Sequence, residues 1–230
     1  MKFKNILLND SISYIGVGDR LDAIMIAKIL YDQDKLPVTM YQLRGTFDDF
    51  DELTSLYDIK VSIEYPRSKE LRFSSFFEHN AKGYDQISLL KTVKDFPKIK
   101  IDPVDIEIPD KFVTVQFDGK QGPRTACSPK EIQRIKSFYK EQGYELITVA
   151  GEATNPMLTG KTSNIKNIAY VMSKADLHVG VDSGMMNLAK LVMPSKSIHI
   201  YTSDTNDFKG SLLKRCEDKG TRVNYSRKKV

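Results

Sequence analysis

The stretch Leu177-His-Val-Gly-Val-Asp-Ser-Gly-Met-Met-Asn-Leu-Ala-Lys190 decides the fold. Its apolar start favours a strand, and Asp-Ser-Gly favours a turn. The spacing of the apolar residues that follow predicts a short helix over 185–192. The dipole and free backbone N–H groups of a helix N-terminus favour an anion. Those groups belong here to Ser183, Gly184 and Met185. We therefore expect a diphosphate at this turn; the alternative is that Asp182 or Ser183 only caps the helix.

Strands and helices alternate around this stretch throughout the second half of the chain. Predicted strands cover residues 112–117, 145–150, 176–181 and 196–201. Predicted helices run from the capping box Ser128-Pro-Lys-Glu131 to Gly143 and over 163–174. This alternation is typical of a parallel α/β domain.

The first half shows the same alternation less clearly. Predicted strands cover 4–8, 13–17, 37–43 and 59–64, predicted helices cover 20–31 and 84–96, and 65–83 is interpreted as a loop or short helix. Pro103 and Pro109 favour extended chain between the halves. We expect a Rossmann-like domain over 1–104, a linker over 105–111, a second Rossmann-like domain over 112–213 and a basic tail over 214–230.

Composition excludes several classes of protein. The 230 residues are 40% hydrophobic and 28% charged, as in ordinary globular proteins. No apolar run is long enough to span a bilayer, and the N-terminus lacks the pattern of a signal peptide. Cys127 and Cys216 stand far apart, which argues against a disulfide framework or zinc cluster and favours the cytoplasm. No Walker loop, Ser-His-Asp pattern or clustered metal ligands occur.

The positive charge is concentrated at the end of the chain. Residues 214–230 hold seven basic and two acidic side chains. Their net charge of +5 equals the formal charge of the whole chain. One interpretation is a solvated terminus; the other is a contact for phosphates of nucleic acid or anionic lipid.

The run from Leu158-Thr-Gly-Lys-Thr-Ser163 through Ile168-Ala and Ala175-Asp to Ala189 resembles the donor-binding half of the bacterial heptosyltransferase family. The resemblance covers about residues 110 to 203. It implies a GT-B fold: two Rossmann-like domains with mainly parallel sheets and a cleft between them. The resemblance makes 1–104 the acceptor-side domain and 112–213 the nucleotide-sugar-binding domain. It also implies inverting, metal-independent transfer from a nucleotide-diphosphate sugar, with no cofactor.

The resemblance assigns donor contacts residue by residue. Asp182, Ser183 and Gly184 fall on phosphate and sugar contacts, Glu152 on the ribose contact, and Lys161 and Thr162 on the base contact. Lys120 and Arg124 match a basic residue beside the phosphates, and Arg124 is preferred for its forked donors. Asn187 stands where the family usually has His, so the transferred sugar stays open. Each of these could instead be an ordinary surface residue.

The turn Gly16-Val-Gly-Asp19 resembles the first turn of heptosyltransferases, whose aspartate is the proposed general base. Asp19 is thus the candidate for taking the proton from an acceptor hydroxyl, with Asp22 as the second choice. Taken alone, the motif is a weak signal, and a simple pair of turn glycines explains it equally.

The acceptor is open at this stage. A short first half, with no amphipathic stretch suited to lipid, argues against an envelope lipid. The basic tail favours a hydroxymethylated base in DNA, as in viral GT-B enzymes, over an envelope or soluble glycan. A shortened, viral relative acting in a host cytoplasm fits that interpretation. Rival hypotheses are a GT-B-like epimerase and a non-catalytic module that binds nucleotide sugar or nucleic acid.

Overall fold

The computed structural model describes residues 4–8, 17–34, 38–42, 59–62, 76–79, 89–118, 127–161, 164–202 and 207–225. The chain divides into two compact units, Met1–Ile99 and Lys100–Val230. The predicted linker 105–111 falls inside the second unit, where it forms neither helix nor strand, and the predicted domain limits stay predictions.

The first unit holds a four-stranded parallel sheet. Its elements are β1 (Lys4–Leu8), α1 (Val17–Asp34), β2 (Val38–Gln42), β3 (Ile59–Ser62) and β4 (Phe76–His79). The strand order is β3-β2-β1-β4, and every neighbouring pair is parallel.

Helix α1 supplies most of the described core of this unit. Leu21, Ile24 and Ala27 are fully buried, as are most apolar side chains of the helix. Lys28 forms an ion pair with Asp32, one turn further along the helix. The predicted helix 20–31 is therefore confirmed and extended at both ends.

Three predictions for the first unit differ from the structure. Strand β4 lies inside 65–83, where a loop or short helix was predicted, because its four residues are recognisable only through their pairing with β1. Val17, the last residue of the predicted strand 13–17, is instead the first residue of α1. Residues 13–16 lie outside the described ones. Of the predicted helix 84–96, residues 89–91 are helical, 92–96 are not, and 84–88 are not described.

The second unit holds a five-stranded parallel sheet with order β6-β5-β7-β8-β9. Its strands are β5 (Phe112–Gln116), β6 (Glu145–Thr148), β7 (Leu177–Val181), β8 (Ile198–Thr202) and β9 (Arg222–Tyr225). Its helices are α2 (Pro129–Glu141), α3 (Ile165–Lys174), α4 (Gly184–Val192) and α5 (Asp207–Asp218). The predicted strand and helix alternation from 112 to 201 is confirmed.

Helix α2 begins and ends as its sequence predicts. The Ser128 hydroxyl accepts a hydrogen bond of 3.2 Å from the Glu131 backbone N–H, and Pro129 occupies the first turn. After the helix, Gly143 has a φ of +78°, a conformation that glycine adopts without strain.

Helices cover both faces of the second sheet. Val113, Val115 and Val179 form a core with Ile135 and Tyr139 of α2. Right-handed crossovers place α3 and α4 on the opposite face, where they pack against each other. Alternate strand residues of β5 and β7 point to that second face.

The end of the chain is folded up to Tyr225. Residues 214–218 complete α5, and β9 pairs in parallel with β8. Cys216 is fully buried and Thr221 is 3% exposed. The basic stretch predicted as a separate tail therefore belongs to the second unit over its described part. None of the described helices combines the length and apolar character needed to cross a membrane.

Candidate donor-binding site

The second sheet has a switch point between β5 and β7. From β5 the chain proceeds first to β6 on one side and then to β7 on the other. In open parallel sheets ligands bind in the crevice outside the carboxyl ends of the strands at such a point. Residues that follow β5, β6 and β7 are therefore the candidates for binding.

Helix α4 begins at this crevice. Ser183 precedes it as the N-cap residue, with φ −151° and ψ 176°, and its side chain makes no capping hydrogen bond. The first N–H groups of a helix have no acceptor within the helix itself. Gly184 and Met185 thus present backbone donors, and the helix dipole adds partial positive charge.

The Ser183 hydroxyl donates instead to Gln116 at the end of β5. The distance from Ser183 Oγ to Gln116 Oε1 is 2.6 Å. Gln116 is 3% exposed, and this partly buried bond joins the end of β5 to the start of α4 at the switch point. Sequence reasoning missed Gln116; the available signal was a polar residue at the last position of an alternating strand.

Gly180 allows β7 to lie close to β5 beside this bond. A Cβ atom added at Gly180 would lie 2.4 Å from the backbone oxygen of Gln116. Any other residue would have to push the strands apart at the crevice. The hydrogen bond and the close strand contact together hold the base of the site.

The predicted contacts on α4 have different surroundings. Met185 is buried, so its contribution is its backbone N–H. The Asn187 Oδ1 atom accepts a hydrogen bond of 2.9 Å from Lys190 Nζ, and Lys190 is only 2% exposed. Asp182, at the end of β7, is partly buried. A buried ammonium group thus lies one turn beyond the start of the helix.

Glu152 lies at the carboxyl end of β6, on the short turn Ala150–Glu152. Its side chain is exposed and lies 3.6 Å from Lys136 Nζ. Ala150 has a φ of +67°, which is unusual for a residue with a side chain. A Cβ atom at Gly151 would lie 2.3 Å from Asp118 Oδ2, so this turn packs tightly on the end of β5.

For most of the remaining predicted site residues, the side chain lies outside the part of the chain that the structure describes. Lys161 is exposed. Lys120, Arg124 and Thr162 lie outside the described residues. Asp19 is the third residue of α1, but its side chain is not described; Asp22, three residues further on, is partly buried.

The two described histidines of the second sheet are structural. His178 Nδ1 lies 3.0 Å from Thr114 Oγ1, and complete burial lowers the pKa of His178 to about 3. His199 Nδ1 lies 2.5 Å from the Tyr139 hydroxyl; burial, and then Arg222, lower the pKa of His199 to about 4. Both imidazoles are therefore neutral at physiological pH. In the part of the chain that the structure describes, no three His, Cys, Asp or Glu side chains are grouped so as to hold a metal ion.

Solved glycosyltransferases share this fold. The iron-containing dodecameric glycosyltransferase TibC from enterotoxigenic E. coli matches 87% of this chain with a TM-score of 0.58 and 13% identity. The heptosyltransferase TibC in complex with ADP-D-beta-D-heptose matches 90% with a TM-score of 0.58 and 15% identity. ADP-heptose lps heptosyltransferase II of E. coli matches 99% with a TM-score of 0.58 and 9% identity.

This likeness confirms the prediction of a heptosyltransferase-like GT-B fold. The chain spans 59% and 61% of the two TibC chains and 91% of heptosyltransferase II. No family model matches the sequence, and no curated protein sequence matches it.

Proposed function

We propose that the chain is a glycosyltransferase whose donor is a nucleotide-diphosphate sugar. The observation that carries the proposal is the start of α4. It lies at the switch point of a parallel sheet, and its Ser183 side chain bonds Gln116 instead of capping the helix. A diphosphate would accept hydrogen bonds from the backbone of this turn. The shared fold with a heptosyltransferase bound to ADP-heptose supports this assignment.

The predicted site residues take distinct roles in the proposal. Ser183, Gly184 and Met185 hold the diphosphate, Asp182 and Asn187 lie toward the sugar, and Glu152 accepts from the ribose hydroxyls. Lys161 and Thr162 pack on the base. Lys120 or Arg124 would neutralise the charge that builds up on the departing nucleoside diphosphate.

Asp19 is the proposed general base. It would take the proton from the acceptor hydroxyl as that oxygen attacks the anomeric carbon, with inversion and without a metal ion. Its place at the start of the helix that follows β1 in the chain supports this role.

The proposed acceptor is a hydroxymethylated base in DNA. The concentration of positive charge in residues 214–230 supports it, and within that stretch Lys214 and Arg222 are exposed. A flipped base would bring its hydroxyl to the active site. The alternative acceptor is a glycan, which the likeness to a lipopolysaccharide heptosyltransferase favours.

A donor screen tests the proposal. UDP-, ADP- and GDP-sugars are each offered with hydroxymethylated DNA or with glycan, and transfer is scored by the mass added to the acceptor. We expect one donor to be used, and Asp19→Asn to slow transfer by about 100-fold or more. Donor binding without transfer in the wild type would support the non-catalytic module, and equal rates for Asp19→Asn would remove Asp19 as the base.

A further inference from the structure

Gln116 offers a donor group that the sequence did not reveal. Its Oε1 is held by the Ser183 hydroxyl at 2.6 Å. Its Nε2 makes no hydrogen bond to any residue within the described ranges. A side chain that is 97% buried therefore keeps an unused donor.

The Ser183 bond determines where that donor lies. The two polar atoms of the carboxamide are attached to the same carbon, so Nε2 lies beside the oxygen that Ser183 holds. Ser183 is the N-cap residue of α4. Gln116 Nε2 therefore lies near Ser183, at the N-terminal end of α4.

The Ser183 bond uses the oxygen of the Gln116 amide. With the Ser183 hydroxyl donating to Oε1, the N–H₂ group of Gln116 is left for another acceptor. The same bond keeps the Ser183 side chain away from the capping position. One interaction thus leaves two kinds of donor for a single anion.

We propose that Gln116 Nε2 binds the diphosphate of the donor, with Ser183 as the residue that positions it. This deepens the proposed function and rests on it for the identity of the ligand. The ligand class is a pyrophosphate group, free or within a nucleoside diphosphate, because its several oxygens can accept from Gln116 and from the backbone of α4 together.

Gln116→Glu tests the inference. The carboxylate keeps the shape of the side chain and can still accept from Ser183, but it replaces the N–H donors with a charged oxygen that repels phosphate. We expect the affinity for ADP and UDP, measured by calorimetry, to fall by about tenfold or more. Gln116→Met removes the donor without adding charge and should have a smaller effect.

Thr114→Val is the matched control. Thr114 lies two residues earlier on the same strand and face, is equally buried, and contacts His178 instead of α4. It should lower stability while leaving the affinity for nucleoside diphosphates unchanged. If Thr114→Val weakens binding as much as Gln116→Glu, the role of Gln116 is only structural and the inference is overturned.

Inorganic pyrophosphate separates this inference from the proposed function. Binding of pyrophosphate that depends on Gln116, without binding of any nucleoside diphosphate, would support the inference and contradict the donor assignment. Nucleoside diphosphate binding that is unchanged in Gln116→Glu would overturn the inference alone. Failure of both ligands to bind the wild type would overturn both.

Discussion

At the scale of single residues, the candidate site depends on how closely two strands approach. Gly180 has no side chain, and the backbone oxygen of Gln116 occupies the space where a Cβ would lie. The Ser183 hydroxyl then reaches Gln116 from the next turn. The short Gly180 contact and the hydrogen bond thus hold the end of β5 against β7 and the start of α4.

Gly180→Ala should therefore disturb both stability and binding. The added methyl group would lie 2.4 Å from the Gln116 oxygen, and overpacking of this kind costs about 1–3 kcal/mol. Urea unfolding measures the change in the free energy of unfolding. Gly160→Ala is the control, because a Cβ there would have its nearest neighbour at 3.5 Å. Equal losses for the two variants would contradict the proposed steric role of Gly180.

His178 makes a prediction about pH. Its pKa is about 3 in the folded protein, against the ordinary value of 6.5, because burial disfavours the charged ring. The unfolded chain therefore binds a proton that the folded protein does not. The stability that this histidine contributes is complete above pH 6.5 and is lost as the pH falls toward 3.

His178→Gln should reduce that pH dependence. Between pH 6 and 5, one such histidine changes the free energy of unfolding by about 1.4 kcal/mol per pH unit. Urea unfolding of wild type and variant at the two pH values gives the difference. An identical loss of stability in both proteins would show that the ring of His178 does not stay neutral in the fold.

At the scale of elements, the sequence predicted those strands and helices that have strong local signals. Helix α2 has a capping serine, a first-turn proline and a terminal glycine, and it begins and ends where these residues predict. Strand β4 has four residues and no period of its own, so only its pairing with β1 defines it. Helix α5 and strand β9 were not predicted, because charged residues dominate this stretch. Leu213 and Cys216 are buried there among exposed basic and acidic side chains.

The candidate site, too, was predictable only where a local sequence pattern marks it. The turn at Ser183 and Gly184 has a recognisable strand–turn–helix pattern, and the structure places it at the switch point. Gln116 is 67 residues away from Ser183 in sequence. The importance of Gln116 arises from the pairing of β5 with β7, which no local pattern encodes.

The C-terminal elements predict a difference between two truncations. A chain that ends after Leu213 loses β9 and the buried Cys216, which exposes the edge of β8. We expect it to lose cooperative thermal unfolding, because a folded part of the sheet is removed. A chain that ends after Tyr225 should keep it. If the shorter chain melts like the full one, the described end is not part of the stable fold.

At the scale of the whole molecule, each unit has a parallel sheet with a first strand in its interior. The orders β3-β2-β1-β4 and β6-β5-β7-β8-β9 both leave a switch point beside the strand that opens the unit. The start of α1, with Asp19, follows the first strand of one sheet in the chain. The start of α4 follows the third strand of the other.

The charge of the chain allows a test of the DNA acceptor without deletion. Lys214→Gln with Arg222→Gln removes two exposed charges and leaves the buried residues of α5 and β9 in place. If DNA contacts these residues, affinity should fall and should depend less steeply on salt. Fluorescence anisotropy with hydroxymethylated duplex DNA at several salt concentrations measures both. Unchanged affinity and salt dependence would exclude these two residues as DNA contacts.

The most direct test of the donor site is an amide NMR titration of the wild-type protein with ADP, UDP, GDP and their sugars. If a diphosphate binds at the N-terminus of α4, the largest saturable shifts of backbone amides should fall at Gly184 and Met185, with the Gln116 side-chain amide moving in parallel. Saturable shifts that leave these three groups unchanged and cluster elsewhere would contradict the proposed donor site.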